Sequence, residues 1–258
     1  MMGKKILVIG DSHAHPDHNN DRFDWLGNMI ADQRPDIIVD IGDFADMPSL
    51  SQWDVGKLKF EGRRYLLDIE VAKDARRRVM APTLALQAKT ERSHRDRYHP
   101  RWVAIEGNHE DHINRAVQQD AKLDGLMSHD DLGCEAMGWE FVPFGTVFDI
   151  EGILFTHHFI GGVMGKPIGG LYPTVSILRK YHCSCVQGHA HYFQMRHEKA
   201  RKGNIWAFIA GCYFDYDPDW TKAHVFYDRG ILVLNGVHDG DIESFAWTGI
   251  EEIKRTYR

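Results

Sequence analysis

The feature that most constrains this chain is a recurrence. Short β-branched runs each stop at a block of glycine, carboxylate or amide, and histidine. Residues 5–9 and 36–41 are two such runs, each followed by Gly and then Asp, and 102–105 runs into Glu106-Gly107-Asn108-His109. Between the first two, Phe23, Leu26, Met29 and Ile30 fall at helical spacing. Strand–helix–strand alternation at this pace predicts an α/β sheet with parallel elements. The second half reads as richer in strands, at 140–150, 152–156, 184–187, 205–210, 223–227 and 231–237, with one helix around 174–181. The expectation is a single α/β domain over 1–258, its sheet core completed by an antiparallel C-terminal half. A chain of 258 residues carries one substantial core. No apolar run approaches the ~20 residues of a membrane-spanning helix, so no membrane partner is expected.

Five blocks sit at predicted strand ends: Asp11-Ser12-His13, Gly42-Asp43-Phe44-Ala45-Asp46, Gly107-Asn108-His109-Glu110, His157-His158 and Gly188-His189-Ala190-His191. The carboxyl ends of strands in an open α/β sheet face a common crevice, so segments far apart in sequence converge there. The chain holds 16 histidines, and histidine is the commonest metal ligand. Pooled, the blocks offer two carboxylates (Asp11, Asp43), one amide oxygen (Asn108) and four imidazoles (His13, His157, His189, His191), with no thiol. Such a set suits Mn, Fe, Zn or Ni rather than calcium or a structural cysteine–zinc site. Seven ligands are too many for one transition ion; they suit two, bridged by a carboxylate across ~3.5–4 Å.

In order and spacing, the five blocks resemble the signature of the calcineurin-like metallophosphoesterases. The resemblance runs from Ile6 to His191, interrupted between Asp43 and Asn108, and does not extend beyond His191. It implies a core of two packed mixed β-sheets flanked by helices (αββα). It also implies that Asp11, His13 and His191 bind a first metal, that Asp43 bridges, and that Asn108, His157 and His189 complete a second. His109 resembles the catalytic histidine and Asp46 the acid that orients it, although Asp46 can equally cap a helix before Met47-Pro48-Ser49. The cofactors implied are two divalent transition ions, Mn2+ first, with Fe, Zn and Ni as alternatives. The reaction implied is attack of a metal-bridging hydroxide on a phosphoester, with His109 assisting the leaving group. His15, His158 and Lys166 are candidate substrate contacts; the plainer reading makes the histidines supporting or surface residues and Lys166 a solvated loop lysine.

Departures from subfamily patterns bear on the substrate. Ser/Thr protein phosphatases carry Gly-Asp-x-x-Asp-Arg-Gly, whereas Met47-Pro48 follows Asp46 here, so the phosphate-binding arginine is missing. The usual His-Gly is His157-His158, and the repair-nuclease branch tends to place His where Asp46 stands. What remains looks like the small bacterial and phage members. Weaker phosphate clamping favours a monoanionic diester, so a phosphodiesterase is expected. A phosphomonoesterase, a nuclease and, last, a non-catalytic metal-binding scaffold are the alternatives.

Charge is uneven. The net charge is −6, yet residues 57–101 hold 13 Lys and Arg against 6 Asp and Glu. Leu66, Ile69, Ala72 and Val79 keep helical spacing, Ala81-Pro82 reads as a break, and 83–97 can form a second arm. A helical hairpin inserted between two core strands is therefore expected. Its functional reading is a surface for nucleic acid or an anionic substrate. A solvated face or a subunit contact is preferred, because acids are interspersed and aromatics few. The partners expected are thus a phosphoester, a nucleotide or nucleic acid at most through the insertion, and a second copy through the same helices. Between Phe159 and Tyr172 a glycine-rich loop carries Lys166. Tyr213-Phe214-Asp215-Tyr216 reads as packing before base stacking. Four scattered cysteines and an N-terminus without a signal-peptide h-region predict a cytoplasmic protein.

Overall fold

The computed structural model describes residues 3–52, 54–90, 97–201, 203–218 and 226–258. In chain order the strands are β1 (Lys4–Ile9), β2 (Ile37–Asp40), β3 (Arg101–Ile105), β4 (Glu140–Val142), β5 (Phe148–Ile150), β6 (Ile153–Thr156), β7 (Ile160–Gly161), β8 (Lys166–Pro167), β9 (Cys185–Gln187), β10 (Phe193–Ala200), β11 (Gly203–Ala210), β12 (Gly230–Val237) and β13 (Ser244–Gly249). The helices are α1 (Asp21–Gln33), α2 (Tyr65–Thr90), α3 (His112–Gln119), α4 (Pro173–Tyr181) and α5 (Ile250–Tyr257).

Two mixed sheets result. One runs β13-β12-β1-β2-β3-β4, with β1 to β4 parallel and β12 and β13 antiparallel to their neighbours. The other runs β10-β11-β9-β6-β5, with β6, β9 and β11 parallel. The two-residue alternation of strands sorts the apolar side chains between layers. Ile6 and Val8 of β1, Ile37 and Val39 of β2, and Val103 and Ile105 of β3 face the second sheet, where they meet Phe155, Val186 and Phe208. Their neighbours Leu7, Ile9, Ile38 and Trp102 face the opposite way, onto Phe23, Leu26, Met29 and Ile30 of α1 and Ala72, Ala75 and Val79 of α2. Beyond the second sheet, Ala207 and Ile209 pack on Ile177 and Leu178 of α4. The layering is α/β/β/α. Each of these larger side chains contributes about 1.5–3 kcal/mol by leaving water.

Several expectations change. The run at 140–150 is two strands in different sheets, β4 and β5. Pro143 cannot donate to a ladder, and the chain turns there: the Thr146 N–H bonds the Pro143 carbonyl and Gly145 takes φ +78°. Of the strand expected at 223–227, residues 223–225 lie outside the described residues and 226–227 are not in a strand. Strands β10 and β13 and helices α3 and α5 were not anticipated.

The expected break at Ala81-Pro82 is absent, because α2 runs unbroken through Pro82 to Thr90. An interior proline costs about 3 kcal/mol. Here burial of Ile69, Val79 and Met80, with Ala72 and Ala75, outweighs it. Gly27 of α1 meets α2 at the proline: a Cβ there would come within 2.8 Å of the Arg78 carbonyl, whose helical donor Pro82 removes. Of the expected second arm, 91–96 lie outside the described residues. The basic run is also largely consumed by the fold. Arg76 is buried, 2.7 Å from Asp40 and over the rings of Phe44 and Trp139. Arg78 pairs with Asp24 at 2.6 Å and Asp74 at 2.8 Å. No helix among the described residues is long and apolar enough to cross a membrane.

Candidate active site

Each of the five blocks follows the carboxyl end of a strand that has a parallel neighbour: β1, β2, β3, β6 and β9. The turns that bring their side chains inward demand unusual backbone. His13, Asp43, His189 and His191 all have positive φ, between 45° and 66°. Left-handed conformations at non-glycine residues cost energy and persist where the surroundings enforce them. Two glycines allow the blocks to touch: a Cβ on Gly107 would strike the Asp43 carboxylate, and one on Gly188 would strike that of Asp11.

Each of the two central carboxylates splits its oxygens between structure and site. Asp11 Oδ1 accepts the His189 N–H at 3.0 Å, while Oδ2 lies 2.9 Å from His191 Nε2 without hydrogen-bond geometry. Asp43 Oδ1 accepts the His109 N–H at 2.9 Å, and its Oδ2 lies 3.3 Å from His157 Nε2. Glu110 locks the loops together. Its carboxylate accepts the N–H groups of Asp43, Ala45 and Gly107 at 2.7–3.0 Å, and burial beside Asp43 and Asp40 pushes it up to about 8.

Histidine tautomers follow from partners that can only accept. His157 Nδ1 lies 3.1 Å from the Ile41 carbonyl and carries a proton, while Nε2 faces two more acceptors, Asn108 Oδ1 at 2.9 Å and Asp43 Oδ2 at 3.3 Å, a position that only a second proton or a cation can satisfy. His13 Nδ1 lies 2.6 Å from the Asp46 carboxylate and carries the proton, and Nε2 faces His191 Nε2 at 3.3 Å. A second partner that fixes the ring and its tautomer is the usual setting of a metal-binding imidazole. Buried, His13 and its neighbours hold Asp46 well below the ordinary carboxylate range despite the desolvation that opposes it. Desolvation also opposes a charged His157, but Asp43 and Asp11 prevail and push it up to about 10. The site thus calls for positive charge, as imidazolium or as cation.

These donors fit divalent ions. Ligand atoms of Asp11, His13, Asp43 and His191 all lie within 4.8 Å of one another, as do those of His157, His158 and His189. Asp43 and Asn108 reach the second group through His157. The first group contains the three residues expected for one metal plus the expected bridge, and the second adds His158 to two expected ligands. The Nδ1 of His158 is buried without a hydrogen-bond partner, and burial beside His157 lowers the ring to about 4. His158 therefore sits among the donors of the second group.

Asp46 and His109 come together in a way the sequence did not suggest. The Asp46 carboxylate serves His13, and it is the Asp46 backbone carbonyl, 2.7 Å away, that accepts from His109 Nδ1. The carboxylate itself is 3.5 Å from that nitrogen. His109 Nε2 points back to within 3.9 Å of Asp43 Oδ2. Burial works against a charged His109, but Asp43 and Asp46 outweigh it and raise its pKa. His15 is close by, its Nε2 3.6 Å from Asp46. Lys166 is exposed on the β7–β8 ribbon, and among the described residues no hydrogen bond or ion pair ties it to the cluster.

Supporting residues were missed. Buried Arg22 of α1 donates to the carbonyls of Ser12 and His13, at 2.9 and 3.2 Å, and of Tyr213 at 3.1 Å. The Tyr216 hydroxyl donates to the His13 carbonyl at 2.7 Å. The Phe214 ring packs edge-on against His13 and His191, 5.5 Å from each. The run from 213 to 216 is thus wall packing around the first loop. Glu110 stands beside Asn108-His109, and Arg22 is the one basic residue within the helix that carries Phe23, Leu26, Met29 and Ile30; both were signals of a buried tether.

A family model described as calcineurin-like phosphoesterase matches residues 4–206. The Gene 54 protein of Mycobacterium phage D29 is 28% identical over 202 residues, covering 74% of this chain and 70% of that protein. The match takes in all five blocks and both sheets up to β11, and the chain belongs to the calcineurin-like phosphoesterase family.

Proposed function

We propose that the chain is a dinuclear, metal-dependent phosphodiesterase. Asp11, His13 and His191 hold one divalent ion, Asn108, His157 and His189 a second, and Asp43 is shared; Mn2+ is the first choice, with Fe, Zn and Ni as alternatives. When bound, the ions supply an acidified water and polarise the phosphoryl oxygens. The observation that carries the hydrolytic reading is His109. Its Nδ1 is tied to the Asp46 carbonyl, so its Nε2 faces the carboxylate cluster with a proton to give to a leaving oxygen. Asp46 contributes twice, by fixing His13 as a ligand through its side chain and His109 as an acid through its backbone.

The diester preference is supported by the missing clamp. Met47, where an arginine would follow Asp46, is buried. Arg63, the guanidinium lining the cleft beside His109, is engaged with Asp17 at 2.8 Å. Among the described residues, a dianionic monoester therefore meets no unpaired guanidinium there. The nuclease alternative gains nothing from Arg76 and Arg78, whose charges Asp40, Asp24 and Asp74 take up. A cytoplasmic location is supported by four unbonded cysteines.

The test compares bis(p-nitrophenyl) phosphate with p-nitrophenyl phosphate on protein loaded with Mn, Fe, Zn or Ni. We expect faster diester hydrolysis. His109→Ala should lose about 10²–10⁴-fold on diesters of unactivated alcohols while binding metal as before. A monoester preference would replace the diester reading with a phosphomonoesterase, and silence with two metals bound would leave a scaffold.

A further inference from the structure

At the end of the second sheet opposite the histidine blocks, the amino ends of β6, β9 and β11 border a cavity that the hydrolytic reading leaves unused. As the described residues form it, its volume is about 700 Å³. Gly152 before β6, Cys183 and Ser184 before β9, and Gly203 at the start of β11 line it. The chain carries four cysteines, and two of them, Cys183 and Cys185, meet at this wall. Cys134 and Cys212 are buried elsewhere, Cys212 in a bridge to Asp11 at the site end of the sheets.

The local chain holds the two sulfurs together. His182 ends α4 in a left-handed turn, at φ +54°, and the chain then runs into β9 at Cys185. Residues two apart in extended chain face the same side, so Cys183 and Cys185 share one side and Ser184 takes the other. Ser184 is fixed there: its hydroxyl donates to the Gly240 carbonyl at 2.5 Å and accepts the Trp206 N–H at 3.2 Å. The two Sγ atoms are then 4.0 Å apart. Access separates them. Cys185 is buried and held in ladders opposite Leu154 and Ala207, whereas Cys183 is half-buried and lies on the cavity wall before the strand begins. Proton placement separates them in the same sense. The Cys185 thiol lies 3.4 Å from the Cys183 carbonyl, which can only accept, so Cys185 keeps its proton. The same thiol faces the Cys183 sulfur. That contact lowers the Cys183 pKa against partial burial and the nearby Asp149 carboxylate, and together with burial it raises that of Cys185. An accessible sulfur with thiolate character is the reactive kind, and a second thiol beside it is placed to resolve what the first one captures.

We propose that Cys183 and Cys185 form a dithiol exchange site, at which a small-molecule disulfide entering the cavity is reduced while the two cysteines close to an intramolecular disulfide. A cavity of this volume is of the size that admits small molecules. The Cys183 thiolate attacks one sulfur of the incoming disulfide; a bond to Cys183 forms as the original S–S bond breaks, and the first thiolate departs with the bonding pair. Cys185 gives that thiolate its proton. The Cys185 thiolate then attacks Cys183 Sγ, closing from 4.0 Å to the ~2.05 Å of a disulfide, and the second thiolate departs and takes a proton from water. Two protein thiols are oxidised, and one disulfide is reduced to two thiols. Cys183, which precedes the ladder, makes the movement.

The test equilibrates the reduced, full-length protein with glutathione disulfide under anaerobic conditions, alkylates the remaining thiols after unfolding, and maps the peptides by mass spectrometry. We expect the wild type to lose two thiols, those of Cys183 and Cys185, while Cys134 and Cys212 are recovered alkylated. In Cys185→Ala the reaction should stop with one glutathione retained on Cys183. In Cys183→Ser the buried Cys185 should react slower by about tenfold or more. Brief iodoacetamide labelling of the folded wild type checks the order without any variant, and Cys183 should label about tenfold faster than Cys134 or Cys212. A wild type that forms no disulfide, that holds glutathione on Cys183 without closing onto Cys185, or that joins two copies through these cysteines overturns the site. Labelling of Cys134 or Cys212 as fast as Cys183 overturns it too. None of these readouts involves a metal or a phosphoester, so the result stands apart from the hydrolytic reading.

Discussion

Two groups of buried carboxylates lie three residues apart at the end of β2, and they are treated in opposite ways. Asp40, the last residue of the strand, faces Arg76 of α2 at 2.7 Å, and the guanidinium is sandwiched by Phe44 and Trp139. Asp43, just beyond, shares its surroundings with Asp11 and Asp46, and around these three the described partners are imidazoles and backbone N–H groups, without a lysine or arginine. A carboxylate answered by a fixed cation is part of the frame. A cluster answered only by titratable rings is a place where charge can be exchanged for a ligand.

That contrast can be broken by swapping partners. Arg76→Leu should destabilise the protein by about 3–5 kcal/mol in urea unfolding, since it strands Asp40. The double variant with Asp40→Asn should recover much of the loss. Asp43→Asn, in metal-free protein, should cost less than Arg76→Leu, because His157 and His109, which Asp43 favours in their charged form, can release their protons where a guanidinium or a stranded Asp40 cannot. Equal losses for Arg76→Leu and Asp43→Asn would erase the distinction. Metal sharpens it further. Mn2+ at 100 times its dissociation constant should add about 2.7 kcal/mol of stability to the wild type, nothing to Asp43→Asn, and its full amount to Asp40→Asn; thermal melts with and without chelator give the comparison.

The smallest effect concerns Asp68 of α2, which among the described residues makes no ion pair. It accepts the Ser49 N–H at 2.9 Å, and its other oxygen is buried without a partner, so burial raises it to about 6. The folded state then holds its proton more tightly than the unfolded chain, whose aspartates titrate near 3.9. Stability from this group is full below pH 4 and falls by on the order of 2 kcal/mol as pH rises through 6. Asp68→Asn should flatten that slope, and unfolding midpoints measured from pH 4 to 7.5 would reveal it. An unchanged slope would place the pH dependence elsewhere.

The site was more legible in the sequence than the frame around it. The convergence of Asp11, His13, Asp43, Asn108, His157, His189 and His191 could be anticipated because strand ends are local signals. Pro82 was misread because the force that keeps α2 whole is tertiary: packing of its apolar stripe and a glycine on another helix. The 140–150 run hid a change of sheet, since both halves are equally apolar and only the pairing separates them. Asp46 was placed correctly beside His109, but which of its atoms reaches which ring depends on the left-handed turns that residue types do not disclose. The β10 strand, with Arg196, His197, Glu198 and Lys199 in succession, has a surface composition and declares itself only through its ladder to β11.

The donors are contributed from position 11 to position 191, and the order in which they arrive has a consequence during synthesis. A chain that has emerged through α3 carries Asp11, His13, Asp43 and Asn108, one imidazole ligand among them. The other three follow β6 and β9, in a sheet whose parallel neighbours cannot pair until the crossovers between them exist. Long-range pairings of this kind form late, after the loop-closure entropy has been met. A nascent fragment therefore lacks most of the histidines of the proposed site, and capture of metal becomes a report that both halves of the chain have docked.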